Sequence, residues 1–252
     1  MHWSNVRRGQ IDRRGSGGDK GRVAVLLSAF ALALPLAAQA PVAPASRFVV
    51  VLDAAHGGDD TGGRLAGGQM EKAVTLALSV RLRSVLNARG IAVVTTREAD
   101  DAMDPDRRAG IANHTRAGAC LSLHATESGA GVHLFTSSLA PAPVTRFAAW
   151  KTAQGAWVTR SLALAGALNS ALQQSGVHVT LGRTTLAGLD SMTCPALAVE
   201  IAPERGANST VTAEPDNPDY QARIAATLAA ALLEWRGDPQ HLNPQNTGVR
   251  QP

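Results

Sequence analysis

The sequence predicts an α/β fold, a single domain with a mostly parallel twisted sheet flanked by helices. Three observations lead there. Short apolar runs bounded by turn residues alternate with longer segments of helical period, the order of a sheet built through crossover helices. The 252 residues suffice for one substantial core, and few of them are aromatic, so Ala, Leu and Val must fill it. Residues able to do chemistry stand at the ends of the apolar runs, as in "FVVVLDAAHGGDD" (48–60), where a strand-like stretch closes on a histidine and two glycines.

Each element has its own warrant. "RFVVVLDAA" (47–55) reads as a buried first strand. "EKAVTLALSVRLRSVLNARG" (71–90) has helical period, with Val74, Leu78, Leu82 and Val85 on one face and Gly90 as the stop. "IAVVTTR" (91–97) is a second strand. Asp104-Pro105 supplies an N-cap and a first turn for a helix reaching about Arg116. "ACLSLHA" (119–125) and "GVHLFTS" (131–137) follow as third and fourth strands, and an Ala/Leu helix spans Trp157 to Gln174. After a polar, turn-containing passage, "PALAVEIA" (195–202) is a late buried strand and "YQARIAATLAAALLEW" (220–235) a closing helix. The polar passage from Glu204 to Asp219 has the length of a cleft rim, and the Pro/Asn/Gln-rich residues 237–252 read as a disordered tail.

The ends of the chain and its charge bound the function. A basic, Gly-rich start precedes "VAVLLSAFALALPLAA" (23–38), the length of a signal-peptide apolar region and short for a spanning helix. Small-residue cleavage patterns follow at Ala38-Gln39-Ala40 and Ala43-Pro44-Ala45, the second favoured because Pro41 hinders the first. Residues 1–45 are therefore expected to be a signal peptide and short linker, residues 46–236 the folded domain, and the destination periplasmic or extracellular. The alternative is an uncleaved N-terminal anchor. Six basic and two acidic residues lie in this leader, leaving eighteen of each sign from Ser46 onward. A neutral exported part with few aromatics argues against nucleic acid as a partner, and no membrane contact is expected once the leader is removed. Cys120 and Cys194 are compatible with a disulfide in an oxidising compartment or with two buried thiols.

Four groups converge at element ends. His56 follows the first strand, His124 closes the third, Glu71 opens the first long helix and Glu200 ends the late strand. The carboxyl ends of parallel strands line the functional crevice. Two imidazoles and one carboxylate there make a three-ligand zinc site with an open position, the catalytic rather than the closed arrangement. Glu200, in the same crevice without being a ligand, is the expected general base. Gly57-Gly58 would turn the backbone and keep bulk from metal and substrate. Around these, Asp53 either supports a ligand from behind or caps the next turn. His133 reads as a surface or satisfied core histidine more readily than a cleft residue. His114 and His178 are helix-surface and loop residues, Arg183 a surface salt-bridge partner, and "EADDAMDPD" (98–106) a solvated loop and cap.

Taken in order, "VVVLDAAHGG", "MEKAVTLALSVRLRSVLNARGIAVVTTRE", "RRAGIANHTRAGACLSLHAT" and "LAGLDSMTCPALAVE" resemble the blocks of zinc-dependent N-acetylmuramoyl-L-alanine amidases of the Amidase_3 type. The resemblance covers about Phe48 to Trp235. It implies one zinc per chain on His56, Glu71 and His124, with Glu200 as the catalytic glutamate. It also implies hydrolysis of the amide between N-acetylmuramic acid and L-alanine of a peptidoglycan or muropeptide stem. Departures from the family pattern stand at Ala54-Ala55, where Pro-Gly is usual, at Thr126 in place of Asn, and at "IAPERGANST" (201–210) after Glu200. These departures motivate the alternative of a non-catalytic binder of peptidoglycan or of a partner. Another zinc peptidase of cell-wall peptides is the second alternative. Whether a protein activator is needed is left open by the residues.

Overall fold

Why the first strand is so apolar becomes plain from its place in the sheet. In the computed structural model, which describes residues 48–145 and 149–238, β1 (Val49–Ala54) lies between β2 (Ala92–Thr95) and β3 (Ala119–Ala125) and is covered on both faces. The sheet continues through β6 (Ala196–Ile201), β4 (Val132–Ser137) and β5 (Val179–Thr184), in the order β2-β1-β3-β6-β4-β5. β1, β2, β3 and β6 are mutually parallel; β4 is antiparallel to β6 and parallel to β5. The sheet is mostly parallel, as expected, but its last two strands run the other way.

Three helices cover one face: α1 (Glu71–Ala88), α3 (Val158–Gln174) and α4 (Pro218–Arg236). Their apolar stripes meet Leu52, Leu121, Leu123, Leu197 and Val199 in the main core. On α1 the fully buried line is Leu78, Leu82 and Leu86, while Val85 packs only at the margin, because strict four-residue spacing keeps that line over the strands. The other face is thinner. There α2 (Pro105–His114) and the turn Leu189–Ser191 cover Val51, Cys120, Ala196 and Ala198 with small side chains. Asp104 caps α2 as its sequence requires, accepting the Arg107 N–H at 2.7 Å.

Two elements escaped the sequence reading. β5 lies in the polar passage because an edge strand has one open side, and its residues are mostly exposed. The expected rim after Glu204 contains a short hairpin, β7 (Glu204–Arg205) with β8 (Val211–Ala213). The leader, its linker and residues 239–252 lie outside the described residues. Among those described, no helix is long and apolar enough to cross a membrane.

Cys120 and Cys194 are joined in a buried disulfide that spans 74 residues and ties β3 to the turn entering β6. Closing so long a loop chiefly restricts the unfolded chain. Replacing both cysteines with alanine is expected to lower unfolding free energy by about 2–5 kcal/mol, measured by denaturant titration; an unchanged midpoint would show the link to be energetically idle.

Candidate metal centre

The order β2-β1-β3 means that the chain leaves β1 in one direction and returns on its other side, which opens a crevice at the carboxyl ends of β1 and β3. His56 lies just past β1 and His124 is near the end of β3. Glu71 arrives from the covered face, at the first turn of α1. His56 Nε2, Glu71 and His124 Nδ1 converge: Glu71 Oε2 is 3.1 Å from His56 and Oε1 is 3.0 Å from His124. One donor atom from each residue lies within 4.8 Å of the other two.

Each of those contacts is a place where a proton or a cation must stand, since a carboxylate oxygen and an imidazole lone pair otherwise repel. The remaining ring nitrogens are already engaged. His56 Nδ1 is 2.9 Å from Asp60, four residues on. Behind His124, the Ser122 hydroxyl donates to Asp53 at 2.9 Å, so its oxygen is free to accept from His124 Nε2 at 3.4 Å. That assignment puts the neutral ring's one proton on Nε2 and turns the Nδ1 lone pair inward. A Cβ at Gly62 would come within 2.6 Å of the His56 ring and 2.7 Å of Glu71 Oε2. The chain thus keeps the space beside the donors clear. Two neutral nitrogens, one carboxylate and outer partners that set their orientation fit a zinc ion.

The electrostatics agree. With protons standing where a cation would, burial pushes the Glu71 carboxyl up, but hydrogen bonds from His124, His56 and the Gly63 N–H together hold it well below the usual carboxylate range. The His56 imidazole is raised from its ordinary value, first by its hydrogen bond to Glu71, against the opposing effect of burial.

The segment after β1 is shaped by two buried arginines. Arg97 donates to the carbonyls of Ala54 and Ala55 at 2.8 and 3.0 Å, and Arg108 to those of Ala54 and His56 at 2.7 and 2.6 Å. Arg108 also pairs with Asp53 at 2.7 Å. His56 itself has a left-handed φ of 64°, a strained conformation that these contacts hold. The role expected for Gly57-Gly58 needs correction. A Cβ on Gly57 would meet the Asp101 carbonyl at 2.2 Å, so this pair makes room for the 98–103 loop, and Gly62 is the residue that spares the donors.

Glu200 stands beside the cluster. It is the register partner of His124 on β3 and of His133 on β4, so the three side chains share one row and one face. It is not among the clustered donors. Sequence reasoning passed over Asp60 and Ser122, although an acid four residues after His56 and a serine two before His124 were visible signals. The 98–106 segment is a largely exposed loop and cap, as expected, and within it Asp100 accepts from Lys72 Nζ at 2.7 Å and from the Gly58 N–H at 2.8 Å, bracing the histidine loop. Arg183 forms no ion pair among the described residues and donates instead to the carbonyls of Ser137 and Leu139. His114 and His178 are exposed and away from the cluster.

Fold and site together define a hydrolase-type α/β domain whose candidate metal centre lies over the strand ends. The particular family is shown by comparison: residues 50–234 match the N-acetylmuramoyl-L-alanine amidase family Amidase_3, and the chain belongs to it. An N-acetylmuramoyl-L-alanine amidase of Mycobacterium tuberculosis is 32% identical over 178 residues, 68% of this chain and 71% of the relative. Among solved structures, the amidase from Clostridium difficile 630 superposes with a TM-score of 0.60 at 22% identity, over 77% of this chain and all of that one. The catalytic domain of the Bacillus (Paenibacillus) polymyxa amidase CwlV gives 0.58 at 24% identity, over 75% and 98%. At these identities the structures speak for the fold.

Two outcomes are expected. Because the raised His56 holds its proton to higher pH than a free imidazole, a metal must displace that proton in mild acid. Zinc affinity should therefore be full above the raised value and fall as pH drops through it, while Glu71 stays ionised; titration across about pH 5–8 by calorimetry would show this. Asp60→Ala should weaken zinc binding about 10- to 100-fold without unfolding the protein, and equal affinity in the variant would remove Asp60 from the centre.

Proposed function

We propose that His56, Glu71 and His124 hold one zinc ion and that Glu200 is the general base of a peptidoglycan amidase. The activity follows from the family: the enzyme is an N-acetylmuramoyl-L-alanine amidase, cleaving the amide between N-acetylmuramic acid and L-alanine of the stem peptide. The observation that supports the residue roles is the donor cluster with a carboxylate in the next register position that the cluster does not use.

Zinc in such a site supplies a Lewis acid that polarises the scissile carbonyl and makes water a competent nucleophile near neutral pH. The chain does the rest. Asp60 and Ser122 keep the imidazoles facing inward. Glu200 takes a proton from the attacking water as the new C–O bond forms. As the C–N bond breaks, it passes that proton to the departing nitrogen; the new carboxylic acid then yields its own proton, leaving a lactyl carboxylate and the ammonium group of L-alanine. The side chain of Glu200 is only partly exposed, which limits competing bulk water around the base.

Export to the cell envelope, where such a substrate lies, is part of the same proposal and rests on the leader's sequence. The non-catalytic alternative is disfavoured by Glu200, since a binding module has no use for a general base beside the donor cluster.

Metal analysis and muropeptide release test the assignment together. The protein should carry one zinc and release stem peptides that begin with L-alanine. Glu200→Ala should keep the metal and lose at least about 100-fold in rate, whereas His56→Ala or His124→Ala should lose the metal itself. Zinc without product in the parent protein would favour the binder, and no zinc would refute the site.

A further inference from the structure

We infer that His133 is a positioning residue for Glu200, holding one oxygen of the base so that the other faces the attacking water. The inference deepens the proposed function and rests on Glu200 being the base. His133 Nδ1 lies 2.6 Å from Glu200 Oε2, and among the described residues it is the hydrogen-bond partner of that carboxylate. The contact is built by the sheet. His133 and Glu200 are directly opposed on the antiparallel pair β4/β6, which keeps their Cβ atoms close and brings the two side chains within reach of one another. Because β4 runs against the other strands of the crevice, it brings its amino end, and His133 with it, to the edge where β3 and β6 finish.

Two neighbours hold the imidazole, and a third residue holds the strands that carry it. A Cβ on Gly129, whose φ is +82°, would lie 2.6 Å from His133 Cε1 and Nε2, so the ring edge lies against bare backbone. The Phe135 ring, on the same face of β4, meets it edge-on with centroids 6.2 Å apart. The Tyr220 hydroxyl lies 3.1 Å from the Gly131 carbonyl and 3.2 Å from that of Ala202, pinning the start of β4 to the end of β6. The phenol is pushed well above its ordinary value, chiefly by burial, and so keeps the proton it donates.

The chemistry follows from how a carboxylate is shared. With Oε2 committed to the Nδ1–H donor, rotation about the last side-chain bond is blocked and Oε1 alone is left to receive a proton from water. Once Oε1 is protonated, that proton has one exit, to the departing amine. The Nδ1 proton stays on His133 throughout, so no net charge or atom is displaced. A base lacking this clamp samples both orientations, and a misplacement of about 1 Å costs on the order of 100-fold in rate.

The test compares His133→Phe, which fills the ring's space without a donor, with His133→Asn, whose amide N–H can stand in for Nδ1–H. Using the full zinc-loaded chain and a soluble muropeptide, His133→Phe should lower kcat about 10- to 100-fold with KM and zinc content unchanged. His133→Asn should recover most of the loss, and His133→Phe should cost nothing further in a Glu200→Ala background. Equal losses in Phe and Asn, a loss carried by KM or by zinc content, or additivity with Glu200→Ala would overturn the assignment. A second readout does not depend on hydrolysis: nitrogen-15 spectra should show His133 protonated at Nδ1, with a signal that moves in Glu200→Ala. A signal indifferent to that change refutes the pairing even if no stem peptide is released, an outcome that separately counts against the amidase reading.

Discussion

Everything at the candidate metal centre depends on how the chain is held just after β1. There the backbone leaves the parallel ladder, and the carbonyls of Ala54, Ala55 and His56 lose their places in it. Arg97 and Arg108, both almost fully buried, donate to all three, and Arg108 is paired with Asp53. A guanidinium can do this because its planar fork carries five donors in fixed directions. Removing one member of such a buried pair leaves the other charge uncompensated, typically at about 3–5 kcal/mol. The strained turn at His56 persists because these arginines over-determine it.

From that anchor, the polar network divides by depth. Asp53 receives Thr96 and Arg108 on one oxygen and Ser122 on the other, which orders the residue behind His124. Asp60 does the same for His56 from the solvent side. Asp100, on the surface, ties Lys72 to the Gly58 amide and so connects the start of α1 to the histidine loop. The two clustered histidines are thus oriented from opposite sides, one by a buried relay and one by a surface acid. Glu71 meets both because its helix begins at the crevice, with the Gly63 and Ala125 N–H groups bound to its two oxygens.

The mixed direction of the sheet gives the site its second half. Four parallel strands alone would deliver His56, His124 and Glu200 to the crevice. The reversal at β4 adds a residue from the amino end of a strand, opposite Glu200. One edge of one sheet therefore carries both the donor cluster and a separate, hydrogen-bonded carboxylate. The Ala54-Ala55, Thr126 and 201–210 departures surround this edge and leave all four groups in place.

The α/β class, most of the strands and helices, and the meeting of His56, Glu71, His124 and Glu200 at one sheet edge were legible from residues alone. These could be read because apolar period is local and because the functional crevice of parallel strands lies at their carboxyl ends. The sequence also showed two cysteines without saying whether they meet. Tertiary structure alone decided the rest. The Cys120–Cys194 link depends on β3 and β6 being neighbours, although 74 residues separate the two cysteines. The roles of Asp60 and Ser122 depend on which ring nitrogen faces inward, and strand spacing carries no record of that. β5 was hidden because an edge strand need not be apolar. His133 was set aside because a rule about carboxyl ends applies only once strand direction is known. That direction is set by long-range pairing with β6, and no local pattern of residues records it.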